Sequence, residues 1–400
     1  MMTPPAPFTV AQWLKRQVAW LQPPLVAAPT ERVFATRKTA ASPIEANPVE
    51  AKSPEPKPAR SVAVPAKRPR AVKSATGKPA GGLSLALQGG GAIGAFTWGV
   101  LDRLLEAEIP IDRITGASAG ALNGVVLAAA LAKNGPAAAR KALAEVWKRV
   151  SEAGRMGGMS SGSGGLDLAK QMFSPYQFNP FDVNPIRDIL GDAVDWAALR
   201  SEKAPPVFVS ATRIADGRAR IFTGAELTLD AVLASTALPG LSRAVEIDGE
   251  AYWDGGYSAN PPLDALLSPD GAPDILLVRL NPTLSPGLPM TVRTIADRVS
   301  QIVFDRPLLD ALDRLAPVFA EGRFRLHQVT ADRALDGLPP GSAGNLDWTF
   351  LTGLRDAGRA AAEAWLNGAG AALVPAALVP AEQVPSADRV GAAKARATKA

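Results

Sequence analysis

Leu83–Ala132 read LSLALQGGGAIGAFTWGVLDRLLEAEIPIDRITGASAGALNGVVLAAALA, four patterned segments joined by short links. LSLALQ is an apolar run of the length of a buried strand. AFTWGVLDRLLEAE places Phe96, Val100, Leu101, Leu104 and Leu105 at helical spacing. PIDRITGAS is a second short strand that ends in a turn, and AGALNGVVLAAALA is a strongly apolar helix. Strand, helix, strand, helix with links this short implies parallel strands. The expectation is an α/β fold with a central, mostly parallel sheet flanked by helices. PVFVSAT (206–212) and DILLVRL (274–280) predict further strands of that sheet.

Both turns in the opening stretch carry chemistry. Gly116-Ala117-Ser118-Ala119-Gly120 fits G-x-S-x-G between a strand and a helix, the context of a nucleophile elbow. The turn is sharp and crowded, so small residues must flank the serine. Ser118 then stands at a helix N-terminus, where the helix dipole favours a negatively charged oxygen. The earlier turn, GGGAIG, also fits the dinucleotide pattern G-x-G-x-x-G at Gly89, Gly91 and Gly94. That pattern calls for an acid at the end of the second strand. Asp112 has about the right separation but lies at the strand's start, and GASAG occupies its end. The remaining use of such a loop is anion stabilisation. Glycines let backbone N–H groups face a cleft, and the following helix adds its positive end.

A serine nucleophile needs a base, and the chain holds one histidine, His327. It sits in GRFRLHQVTAD, an apolar and basic alternation that reads as a strand. The order Ser118, Asp254, His327 nevertheless satisfies a Ser-Asp-His triad. The competing base is Asp254 itself, in EIDGEAYWDGGYSANPPL (246–263). Asp248-Gly249 lies between AVEI and AYW and reads as the turn of a hairpin. Asp254 is then left at a strand end, followed by Gly255 and Gly256, free to project a carboxylate toward Ser118. An unperturbed aspartate, with a pKa near ~3.9, is a weak base at neutral pH, so this role requires burial.

Together, QGGGAIG, GASAG and WDGGYSANPP, in this order and spacing, resemble the patatin-like phospholipase family. The resemblance spans residues 83–280. It implies a lipid acyl hydrolase that works through a Ser–Asp dyad and an acyl-enzyme, with no cofactor and no metal. The dyad maps to Ser118 as nucleophile and Asp254 as proton acceptor. The oxyanion hole maps to Gly89, Gly90 and Gly91, and Gly94, Gly116, Gly120, Gly255 and Gly256 are motif glycines. One position departs from the family: Ile93 stands where members often carry a basic or polar residue. A non-catalytic lipid- or partner-binding module on the same fold is the alternative of a different class.

Composition sets the outer limits. The absence of cysteine excludes disulfides, a thiolate nucleophile and cysteine-ligated metals, and it fits a reducing compartment. Residues 1–82 hold 13 of the 43 Lys and Arg but only 4 of the 38 Asp and Glu, a net of +9. The rest of the chain is net −4, so nucleic-acid binding by the folded part is not expected. Residues 23–82, rich in Pro, Ala and Lys/Arg, read as a disordered linker. Ahead of them, FTVAQWLKRQVAWLQ (8–22) is an amphipathic segment with tryptophans on its apolar side, within a short unit 1–22. It is too short and too charged to span a bilayer. It reads equally as a peripheral anchor at a membrane or lipid inclusion, or as a segment docked on protein. The hydrolase domain is expected over 83–368, a loop over Ser151–Gly165, and a disordered tail over 369–400. With neither a secretory signal nor a spanning helix in the sequence, the expected location is cytoplasmic, peripheral where lipid is engaged.

Overall fold

The computed structural model describes residues 82–156 and 174–374. The amphipathic segment 8–22, the linker and residues 375–400 lie outside the described residues, as does most of the loop expected after Ser151.

The opening stretch folds as its pattern requires. β1 (Leu83–Leu87) is buried along its whole length, as suits a parallel strand covered on both faces. A short 3-10 turn, Gly91–Ile93, leads into α1 (Gly94–Glu106), followed by β2 (Ile111–Gly116). β2 lies beside β1 and parallel to it, pairing Leu85 with Ile114 and Leu87 with Gly116. α2 (Ala119–Met156) is two helices meeting at a break. Gly135 adopts φ 77°, and Pro136, which has no N–H to offer, starts the second half. Of the loop expected over Ser151–Gly165, Ser151–Met156 instead continue the helix. Packing outweighs the polar composition here: Ala139, Leu143, Val146, Trp147 and Val150 recur on one buried face, and Ser151 is buried with them.

The sheet is mixed, with strand order β5-β6-β3-β2-β1-β7-β8 and β4 paired to β3. The remaining strands are β3 (Val207–Arg213), β4 (Ala219–Thr223), β5 (Val245–Ile247), β6 (Glu250–Asp254), β7 (Asp274–Arg279) and β8 (Arg325–Thr330). β3, β2, β1, β7 and β8 run parallel, whereas β4, β5 and β6 attach antiparallel. Asp248 and Gly249 join β5 to β6, both with positive φ (54° and 77°), the two-residue hairpin turn that Asp-Gly favours.

Side chains alternate across the parallel strands. Leu83, Leu85, Leu87, Leu276 and Val278 face a large core with α1 and α2. Ala86, Ile275 and Leu277 face a smaller one. α3 (Pro185–Ala193), α4 (Leu229–Ser235) and α6 (Trp348–Leu366) pack on the first side. α5 (Val292–Ala320) covers the second through Leu308, Ala311 and Leu315. The chain leaves β1 for β2 on one side, while β7 joins β1 on the other. Loops after β1 and β7 thus part at their carboxyl ends, the position where open α/β sheets form ligand crevices.

Candidate active site

Ser118 occupies the turn between β2 and α2 with φ +52°, a left-handed conformation costly for any residue with a Cβ, by about 1–2 kcal/mol. Tight packing enforces it. A Cβ on Gly116 would lie 2.6 Å from the backbone of Gly120, and one on Gly120 would run into the carbonyl of Leu87. The spacing of the G-x-S-x-G glycines is thus a record of two backbone approaches. The Ser118 N–H donates to Ser235 Oγ at 2.9 Å, fixing the turn against the end of α4. At the base of the helix, Asn123 Nδ2 donates to the carbonyls of Gly94 and Ala119, and Asn123 Oδ1 accepts from Trp147 Nε1. These bonds lock together the starts of α1 and α2. Gly94 belongs to the same contact, since a Cβ there would meet Ala119 and the Trp147 ring.

Asp254 reaches Ser118 through the sheet. β4 occupies one edge of β3 along 208–212, so β2 and β6 must share the other edge. β2 pairs with Val207–Val209 and β6 with Ala211–Arg213, coming from opposite directions. Their ends meet: Gly116 faces Val209 and Asp254 faces Ala211, two residues further on. Sites 136 positions apart in sequence are thereby placed tip to tip.

The Asp254 carboxyl is fully buried. Oδ1 accepts the Gly256 N–H at 2.7 Å, while Oδ2 has no hydrogen-bond partner. Burial pushes the carboxyl up to about 7; the Ser118 hydroxyl and the Gly256 N–H pull the other way. Ser118 is therefore close enough to favour the charged carboxylate, although no hydrogen bond of full geometry closes between them. Catalytic pairs are often loose before substrate binds. Behind the carboxylate, Thr212 Oγ1 donates to the Asp254 carbonyl at 2.7 Å. A Cβ on Gly255 would strike the Ser210 carbonyl, and one on Gly256 the Phe304 ring.

The glycine loop divides its donors. The Gly89 N–H donates to Asn260 Oδ1 at 2.7 Å in a buried bond, so it is not open to a ligand. That revises the three-donor oxyanion hole implied by the family resemblance. Among the described residues no hydrogen bond engages the N–H of Gly90 or Gly91, and both line the cleft with Ser118. Gly91 holds φ +57° and lies against the Ala343 carbonyl, so a side chain is excluded there twice over. Ile93, where the resemblance leads one to expect a basic or polar residue, is buried and adds an apolar surface to the cleft. The cleft has a volume of about 1170 Å³, and Leu238, Leu241, Leu280, Leu284, Leu288 and Phe304 are among the apolar side chains that line it.

His327 lies elsewhere. It is on β8, three strands from β2 in the sheet order, which at ~4.8 Å per strand is about 14 Å away. Its Nε2 is 2.9 Å from Asp274 Oδ1, at the start of β7, and its ring packs edge-on against Trp365. Asp254 is not among its partners, so the triad geometry is absent. Sequence reasoning missed Ser235, Gln88 and Asn260. The last two stood inside the quoted motifs, but only as a strand end and a turn.

The fold and site define a class: an α/β protein with a serine on a strained strand-to-helix turn beside a buried carboxylate. Residues 85–267 match the family model described as Patatin-like phospholipase. A curated relative, the uncharacterized protein YjjU of Escherichia coli strain K12, is 28% identical over 214 residues, 51% of this chain and 53% of that one. The chain thus spans about half the length of the curated relative it matches. Among solved structures, VipD from Legionella pneumophila aligns at 14% identity and TM-score 0.39, over 72% of this chain and 67% of that one. ExoU, in its complex with SpcU from Pseudomonas aeruginosa, aligns at 15% identity and TM-score 0.30, over 72% and 52%.

Proposed function

We propose that the chain is a lipid acyl hydrolase acting on carboxylic esters through Ser118 and Asp254. The observation that carries this reading is a strained serine in an apolar cleft, backed by a buried aspartate raised to about 7. A base with that pKa is matched to neutral pH, which an ordinary aspartate is not. Ser118 Oγ attacks the ester carbonyl as its proton passes to Asp254. The tetrahedral oxyanion accepts the N–H groups of Gly90 and Gly91. Collapse of this intermediate expels the alcohol, which takes the proton from Asp254 and leaves an acyl-enzyme. Water then attacks the acyl carbon, giving its proton to Asp254, and the carboxylic acid departs as Ser118 is reprotonated.

The apolar wall supports an acyl chain as the group held in the cleft, and the volume accommodates a long one. Residues 8–22 are proposed as a peripheral contact with a lipid surface, tethered by the linker.

The test uses nitrophenyl esters of increasing chain length together with a fluorophosphonate that labels reactive serines. Wild type should turn over esters and take the label on Ser118. Ser118→Ala should lose at least about 10³-fold in kcat. His327→Ala should keep most of its activity. Loss of activity in His327→Ala would return the histidine to the mechanism. A folded wild type that neither hydrolyses nor labels would leave a binding module on the same fold.

A further inference from the structure

Two buried carboxamides flank the glycine loop, and both reach the same turn of α5. Asn260 accepts the Gly89 N–H at Oδ1 and donates from Nδ2 to the Phe304 carbonyl at 2.9 Å. Gln88 accepts the N–H groups of Leu280 and Asn281 at Oε1, at 2.7 and 3.0 Å, and donates from Nε2 to Asp305 at 3.1 Å. Asp305 is held in turn by Arg279, at the end of β7, at 2.6 Å. Both carboxamides are fully buried. Pro307 interrupts the backbone ladder of the same turn of α5. The Phe304 ring packs on Tyr257 and lies over Gly256, whose N–H holds the Asp254 carboxylate. One turn of α5 therefore touches both halves of the site, although α5 lies beyond the matched family segment 85–267.

Three consecutive glycines have no side chains to pack and many backbone conformations to choose from. Donors that stabilise a transition state must be held to about 0.5 Å. The loop cannot supply that order itself. We propose that Gln88 and Asn260 are positioning residues, holding the N–H groups of Gly90 and Gly91 toward the cleft by clamping their loop to the Phe304–Asp305 turn of α5. This rests on the hydrolase reading above. The clamp acts on the oxyanion, which is absent from the bound ester and develops only as the serine attacks, so its loss falls on kcat and not on ground-state binding.

The experiment compares wild type, Asn260→Ala and Asn260→Asp in ester hydrolysis. It also measures inhibition by a matched pair of substrate-like ketones. A trifluoromethyl ketone adds to a serine and forms a tetrahedral oxyanion, whereas the methyl ketone stays planar. In Asn260→Ala, kcat should fall about 10- to 100-fold with KM within about twofold, on the scale of one impaired oxyanion donor. Affinity for the trifluoromethyl ketone should fall by a similar factor, and that for the methyl ketone should not move. Asn260→Asp keeps the acceptor for Gly89 and should recover part of kcat. Circular dichroism and the melting midpoint report folding; if Asn260→Ala does not fold, Gln88→Met carries the same comparison. Unchanged kcat, a rise in KM alone, or equal weakening of both ketones overturns the clamp. An inactive wild type overturns the hydrolase reading and the clamp with it; an active one with unaltered variants overturns the clamp alone.

Discussion

Under the proposed mechanism, activity and stability pull in opposite directions at Asp254. A carboxyl whose folded-state pKa lies above its unfolded value contributes stability below the unfolded pKa and loses it as pH rises through the folded one. For Asp254 that window runs from about 3.8 to about 7. Holding the group ionised at pH 8 costs about 4 kcal/mol relative to an unburied aspartate. Asp254→Asn should therefore melt above wild type at pH 8, with the advantage shrinking toward pH 4, while ester turnover is lost. Thermal melts across pH check the first part, and an Asp254→Asn protein that melts lower at pH 8 would contradict it. In wild type, kcat/KM should rise with pH and level off above about 7, because only the ionised carboxylate accepts the serine proton. Both residues of this pair were legible in sequence, since G-x-S-x-G and D-G-G are local patterns. The true partner of the Gly89 N–H was not, because Asn260 lies 171 positions away.

Among the elements, the helix pair α1 and α6 is joined backbone to backbone. A Cβ on Gly99 would run into the Arg355 carbonyl, and one on Gly358 into the Phe96 carbonyl. Neither obstacle is the end of a flexible side chain, so the helices would have to separate. Gly358→Ala should destabilise by about 1–3 kcal/mol, read as a lower denaturant midpoint, with KM for a soluble ester unaltered. A midpoint equal to wild type would show that the contact relaxes freely. Periodicity marked α1 as amphipathic, but it could not reveal which helix would press on Gly99. The same limit explains α2, where packing of Val146, Trp147 and Val150 carries helix through residues whose composition reads as loop.

At the scale of the whole molecule, the candidate site lies in a cleft whose apolar wall the motif-bearing segment does not complete. Leu284, Leu288 and Phe304 follow residue 267, where the family match ends. Among the described residues no helix is long and apolar enough to cross a membrane. Leu284 and Leu288, which line the cleft, and Met290 and Val292, which follow them in sequence, are exposed apolar side chains. Under the proposed reading, residues 8–22 recruit the chain to a lipid surface. Deleting residues 1–80 should lower turnover of vesicle- or droplet-borne lipid by about 10-fold or more and leave a soluble short-chain ester within about twofold. Equal loss on both substrates would remove the tether.

The sequence by itself determined the α/β class, the two turns, the hairpin at Asp248-Gly249, and the choice of Ser118 and Asp254 as the candidate pair. Each is set by neighbours within a few residues, where strand and helix periods and the steric demands of a sharp turn leave distinct marks. The tertiary structure alone brought the Asp254 strand end beside the Ser118 turn, because β2 and β6 meet only as they share one edge of β3. It also raised the pKa of that carboxyl, since burial is a property of everything packed around Asp254. It withdrew Gly89 from the donors and left Gly90 and Gly91 in the cleft. Hydrogen bonds and desolvation act through space between residues that the chain holds far apart, and no local pattern records them.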